Sequence, residues 1–185
     1  MIQLDREITL WLNSLGGPDG FWIFLSNARV WFPLYAIIGG FLIYRLGWKK
    51  GLVVIASLAL LVFATDQLSV LVKDSVQRLR PCYDTWMLEN GVHFAYKPRS
   101  HYGFFSSHAS NTFGFAIASY LGFKNDSTHT YKPYLWGIMA WAVLVSLSRI
   151  MLAAHFMGDI LAGAIFGLVL GYAISMLARI AVKRF

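Results

Sequence analysis

The stretch FMGDILAGAIFGLVLGYAISMLARIA, residues 156–181, decides the fold, because it runs for 26 residues with only Asp159 and Arg179 charged. A bilayer's hydrocarbon core is crossed by about 20 mostly apolar residues in helical form. Within hydrocarbon every backbone N–H and C=O must be satisfied inside the segment, so an uninterrupted run of this kind is a helix. Its Gly163, Gly167 and Gly171 recur every four residues, a small-residue stripe suited to close packing against another helix.

Working outward, four further segments have the same character: residues 134–149, 107–123, 51–73 and 21–44. In the last of these Asn27 and Arg29 interrupt the early part, and Pro33 is expected to kink it. The N-terminal run MIQLDREITLWLNSLGG carries Asp5, Arg6 and Glu7, which a secretory signal would not place in its apolar region. Its Ile2, Leu4, Ile8, Trp11 and Leu15 have roughly helical spacing around polar positions, as in an amphipathic helix lying at a membrane surface. The expected fold is an all-α polytopic membrane helix bundle, with about five transmembrane helices and an N-terminal interfacial amphipathic helix. No repeat or Pro/Gly/Ser-rich linker divides residues 1–185, so one domain is expected.

Composition agrees. Of 185 residues, 57% are hydrophobic and 14% charged, with a mean hydropathy of +0.56, too apolar for an ordinary soluble domain. The formal charge of +7 fits positive cytoplasmic ends better than a nucleic-acid surface, so the partners expected are a lipid bilayer and a lipid substrate, with no nucleic acid. Cys82 is the only cysteine and can form neither an internal disulfide nor a zinc site alone. One end of the bundle holds Arg45, Lys49, Lys50, Lys124, Lys132, Arg179, Lys183 and Arg184, eight cations, and the other also holds eight. Once Lys73, Arg80 and Arg149 are set aside as functionally placed, the first group is the larger and is expected to face the cytoplasm.

The polar residues that a membrane protein avoids gather at the opposite boundary. Lys73 and Arg80 follow the second span, Ser106, Ser107 and His108 open the third, Arg149 closes the fourth, and His155 and Asp159 open the fifth. Ionisable groups placed so expensively face a shared interior. Three cations suit a phosphoryl group, with Arg forking onto its oxygens and Lys acting as a point charge. Ser106 and Ser107 sit at a helix N-terminus, where free amides and the helix dipole also draw an anion. His155 and Asp159 are four residues apart, one helical turn, so the carboxylate can fix the imidazole tautomer of a nucleophile or base. His108 can then protonate a leaving group. The cations stabilise the developing charge, so neither a metal nor another cofactor is required. Asp66, two turns before Lys73, fits either a carboxylate that orients that cation from behind or a polar helix-packing residue.

Lys73-DSVQRL-Arg80-Pro81 resembles the K-x6-RP motif of the type 2 phosphatidic acid phosphatase superfamily, Phe105-Ser106-Ser107-His108 resembles its PSGH motif, and Ser148-Arg149-IMLAA-His155-FMG-Asp159 resembles SR-x5-H-x3-D. The motifs occur in the family's order, with Phe105 and Ser107 in place of its proline and glycine. The resemblance implies that His155 forms a phosphohistidine, that Asp159 is its partner and His108 the general acid, and that Lys73, Arg80, Ser106 and Arg149 bind phosphate. It also implies a hydrolase acting on a lipid phosphate or diphosphate, at the periplasmic or exterior face of a bacterial inner membrane. Undecaprenyl diphosphate is the preferred substrate at this point. Phosphatidylglycerol phosphate, phosphatidic acid, lipid A phosphates and phosphotransfer to another acceptor are the alternatives, and an anion transporter is disfavoured because anion passage needs no nucleophile.

Overall fold

The structure, a computed structural model, describes residues 2–185. Eight helices follow one another: α1 (Ile2–Ser14), α2 (Asp19–Ser26), α3 (Phe32–Leu46), α4 (Trp48–Val76), α5 (Thr85–Glu89), α6 (Ser107–Phe123), α7 (Lys132–Met151) and α8 (Met157–Val182). Two short 3-10 turns, Ala28–Trp31 and Pro81–Tyr83, complete the regular structure, and no strand occurs among the described residues. The expected all-α membrane bundle is therefore the fold found. Leu60, Phe63, Leu71, Ile165, Val169 and Leu177 project outward from α4 and α8, a display of apolar surface that only lipid or a partner can cover.

Four stretches are long and apolar enough to cross a membrane: Ala28–Leu46, Trp48–Val76, Lys132–Met151 and Met157–Val182. The remaining expected span, α6, has 17 residues and carries Ser107, His108, Ser110, Asn111, Thr112 and Ser119. It tolerates these because it is the central helix, packed against α3, α4, α7 and α8. Phe115, Ala116 and Phe123 of α6 join Leu42, Leu58, Leu61, Trp141 and Val145 in the main apolar core. Hydropathy measures fitness for lipid, whereas α6 mostly faces protein.

One expected segment is corrected. Residues 21–44 do not form a single kinked span, because the chain breaks at Asn27, whose side chain accepts from the Arg29 amide at 3.1 Å and starts a 3-10 turn. Pro33 then lies in the first turn of α3, where its missing N–H costs nothing, and it kinks no helix. The short α2 consequently returns to the membrane boundary and delivers Ser26 to the polar residues there. Helix α1 is amphipathic as expected, but its polar stripe is turned into the protein. Thr9 and Asn13 are buried while Ile2, Leu4, Trp11 and Leu15 are exposed.

Helices α6 and α8 run parallel at backbone contact. A Cβ added at Gly163 would lie 2.6 Å from the Ser106 carbonyl oxygen, one at Gly171 would lie 2.6 Å from that of Gly114, and one at Gly167 would overlap Ser110. Both registers advance by four residues, so one glycine stripe holds the two N-termini side by side at the same boundary. Gly167→Ala should therefore destabilise the bundle by about 1–3 kcal/mol through overpacking. Gly137→Ala, where nothing lies within 4 Å of the new Cβ, should be neutral or slightly stabilising. Thermal unfolding of the two variants in detergent checks the contrast.

Candidate active site

Three helix ends and one turn bring the polar residues together. Lys73 lies in the last turn of α4, and α4 stops at Gln77, whose φ of 52° turns the chain back toward Arg80. Arg149 lies in the last turn of α7. Ala153, at φ 48°, reverses the chain so that His155 sits just ahead of α8. Ser107 and His108 open α6, in a first turn whose amides have no acceptor within the helix. One cavity of about 790 Å³ is lined by Lys73, Arg80, Ser107, His108, Arg149 and His155.

The three cations are nearly sealed from solvent, with Lys73 8%, Arg80 7% and Arg149 5% exposed, and each is held by neutral groups. Lys73 Nζ donates to the hydroxyls of Ser107 and Ser69. Arg80 donates to the carbonyls of Ser100 and Ala154, both at 2.7 Å. Arg149 Nη1 donates to Ser26 Oγ and to Tyr96 Oη, while its buried Nε has no partner among the described residues. Uncompensated buried charge and an idle donor are costly. An anion entering the cavity relieves the first.

His155 is 2% exposed. Arg80 Nη1 lies 3.1 Å from its Nε2 and can only donate. Nε2 therefore holds a lone pair and Nδ1 holds the proton, facing Asp159 Oδ2 at 3.5 Å. This is the tautomer in which the nitrogen turned toward the cations is nucleophilic. Burial, followed by Arg80, Arg149 and Lys73, pushes the His155 imidazolium well below its ordinary range. Burial, followed by Arg149, also lowers the Arg80 guanidinium. His108 comes from α6 and its Nε2 lies 3.0 Å from the Ser26 carbonyl.

Two expected placements are corrected. Ser106 does not face the cavity: its hydroxyl accepts from the Ala109 amide at 3.3 Å and caps α6, because that amide would otherwise be an orphan. Ser107 supplies the hydroxyl that meets Lys73. Asp66 makes no hydrogen bond or ion pair with Lys73, which bonds Ser69 and Ser107 instead; it lines the cavity.

Several residues were not foreseen from the sequence. Arg78 donates to Asp159 Oδ1 at 2.8 Å and to Asp5 Oδ2 at 2.5 Å, and Asp5 Oδ1 accepts from the Gly158 amide at 2.8 Å. Thr9 accepts from the Met157 amide, and Asn13 donates to the carbonyls of Ile150 and Met151. Asp5, Thr9 and Asn13 are one face of α1, so this helix straps down the turn that carries His155. The outer segment is fixed from the other side, where the Arg80 amide donates to His101 and the Gly103 amide to Arg78. A Cβ at Gly103 would meet Asp159 Oδ2 at 3.0 Å and His155 Nδ1 at 3.5 Å. The i, i+4, i+8 spacing of Asp5, Thr9 and Asn13 was the available signal for the strap.

The PAP2 superfamily matches residues 50–182, and the chain belongs to that superfamily. It is 30% identical over 171 residues to a lipid A 4'-phosphatase of Bacteroides thetaiotaomicron, across 89% of this chain and 72% of the relative. With a lipid A 4'-phosphatase of Porphyromonas gingivalis it shares 31% over 176 residues, across 93% and 72%. With phosphatidylglycerophosphatase B of Bacillus subtilis it shares 35% over 144 residues, across 75% and 63%. The crystal structure of a transmembrane PAP2-type phosphatidylglycerolphosphate phosphatase from Bacillus subtilis superimposes with a TM-score of 0.74 at 20% identity, over 96% of this chain and 85% of that one. The fold is thus shared, and the chain is a membrane lipid phosphatase of the superfamily.

Because its proton affinity is depressed, His155 should stay neutral and nucleophilic below the ordinary imidazole range of about 6.5, losing activity only as pH falls through the lowered value. The acid limb of kcat/KM should accordingly lie below pH ~6.5. Arg78→Met removes a cation from the far side of Asp159 and frees that carboxylate to stabilise the imidazolium, so the limb should move to higher pH, with Arg78→Lys partly restoring it. A variant limb that does not move would assign Arg78 to folding alone.

Proposed function

We propose that this protein hydrolyses a lipid phosphate monoester at the outer face of a bacterial inner membrane through a phosphohistidine on His155. The observation that carries the reading is the continuity of the cavity. The same space that holds the three cations runs on between Trp31, Phe32, Tyr35, Ile55, Leu58 and Phe63. A soluble phosphate ester has no use for that apolar extension, whereas a lipid can enter sideways and keep its chain in hydrocarbon. The outer orientation rests on Arg45, Lys49, Lys50, Lys183 and Arg184 lying at the opposite end of the helices.

In the first step His155 Nε2 attacks phosphorus and the bond from phosphorus to the lipid oxygen breaks. His108 gives its proton to the departing alkoxide. Lys73, Arg80, Arg149 and the first amides of α6 hold the equatorial oxygens, whose charge grows in the transition state. Asp159, gripped by Arg78, keeps the imidazole oriented and balances its cation. In the second step His108, now neutral, takes a proton from water as that water attacks phosphorus. The P–N bond breaks, and inorganic phosphate and the original imidazole are released.

For the substrate, the names of the relatives favour two of the alternatives over undecaprenyl diphosphate, since both the lipid A and phosphatidylglycerophosphate enzymes act on acylated lipids carrying a phosphate. The first candidate is a phosphate monoester on an acylated sugar, followed by one on acylated glycerol. With purified protein in detergent, phosphate release from these lipids should exceed release from undecaprenyl diphosphate by at least about tenfold in kcat/KM. Release should persist in EDTA and be inhibited by vanadate, which resembles the five-coordinate phosphoryl state. A reversed preference would return undecaprenyl diphosphate to first place, and loss of activity in chelator would contradict catalysis by the cations alone.

A further inference from the structure

Below the phosphate cradle the cavity is not immediately apolar. Asp66 of α4 and Asn111 of α6 both line it, yet they stand within the depth of the helices where polar groups are expensive. The Asp66 side chain has no hydrogen-bond or ion-pair partner among the described residues; only its backbone carbonyl is engaged, by Ser69. Asn111 is half satisfied. Its Oδ1 accepts from Thr65 Oγ1, and its Nδ2 has no hydrogen-bond partner among the described residues.

The level of this pair follows from helix geometry. Lys73 Nζ is anchored at the height of Ser69 and Ser107. Asp66 is three residues before Ser69 and Asn111 four residues after Ser107, so they lie about 4.5 and about 6 Å further into the membrane at about 1.5 Å per residue. They supply an acceptor carboxylate beside a donor amide. A secondary amide, whose N–H meets Asp66 and whose C=O meets Asn111, satisfies both, as does a hydroxyl beside an acyl carbonyl. Asp66 is exposed and Asn111 half-buried in the open cavity; a polyprenyl chain lying over them offers neither group and would cover both without a partner, which costs far more than the loss of a van der Waals contact.

We propose that Asp66 and Asn111 form a polar shelf that selects lipids bearing an amide or hydroxyl donor next to an acyl carbonyl, a few bonds beyond the phosphate. The inference rests on the lipid phosphatase reading for the location of the phosphate, and it narrows the lipid to N-acylated or hydroxyacylated species. The shelf touches no reacting atom. It acts by binding, so it discriminates between lipids that carry the same phosphate.

The test separates binding from turnover by using full-length His155→Ala in detergent, with ceramide 1-phosphate as the amide and hydroxyl probe and farnesyl phosphate as the prenyl probe. Ceramide 1-phosphate should bind about 10–100-fold more tightly, the range for a hydrogen bond to a charged group. Adding Asp66→Leu or Asn111→Leu should shrink that ratio by about tenfold or more, and Asp66→Asn should shrink it less. Size-exclusion profiles identify any variant that misfolds, and the two leucine variants test the shelf independently. Equal binding of the probes, or a ratio that survives both substitutions in folded protein, overturns the shelf. Equal losses on both probes overturn it too, by showing that Asp66 acts through Lys73. If instead the unmodified enzyme releases no phosphate from any lipid while the binding ratio stands, the hydrolytic reading fails and the shelf does not.

Discussion

Three buried cations around one imidazole are the constraint that organises this molecule. Lys73, Arg80 and Arg149 converge on a single cavity; Asp66 on its lining pairs with none of them, and Asp159, behind His155, is already paired with Arg78. Like charges crowded in a medium of low polarity repel strongly, so the fold has to hold them against their own field. It does so with neutral groups: two hydroxyls for Lys73, two carbonyls for Arg80, and the hydroxyls of Ser26 and Tyr96 for Arg149. Dipoles of this kind hold the cations in place without neutralising them. What results is a receptor whose electrostatic deficit an entering anion would meet, beside an imidazole, His155, that burial and the same charges keep neutral.

The supporting architecture makes sense in those terms. The glycine stripe of α8 lets α6 approach to backbone contact, which sets two helix N-termini at one boundary and adds their dipoles to the field. The strap α1 is tied by Asp5, Thr9 and Asn13 to the turn bearing His155. From the outside, the segment around Gly103 closes over the pair His155 and Asp159 without room for a side chain. An imidazole in a reversing turn is thereby as constrained as one on a helix, and preorganisation of this sort is where most of an electrostatic catalyst's advantage arises.

Much of this was legible in the sequence, and for identifiable reasons. Long apolar runs have few physical fates, so α4, α7 and α8 were found nearly to their ends. The spacing from Arg149 to His155 to Asp159 could be read because a turn and a helix start impose it locally. What escaped depended on contacts between distant segments. The break at Asn27 is a competition between an apolar run and a side-chain cap, which hydropathy does not register. Ser106 and Ser107 are adjacent and chemically alike, and only the helix start decides which one caps and which one meets Lys73. Nothing local to Arg78 marks its role, since its two carboxylate partners lie 73 and 81 residues away in the chain.

The central claim is that this charge arrangement exists to let His155 carry a phosphoryl group. It is tested most directly by brief incubation of the purified protein with a lipid radiolabelled in its phosphate, followed by alkaline denaturation and peptide mapping. The expected label is stable to alkali, labile to acid, located on His155, and absent from a folded His155→Ala protein. Steady turnover by His155→Ala, or a label found on another residue while His155 remains unmodified, would contradict it.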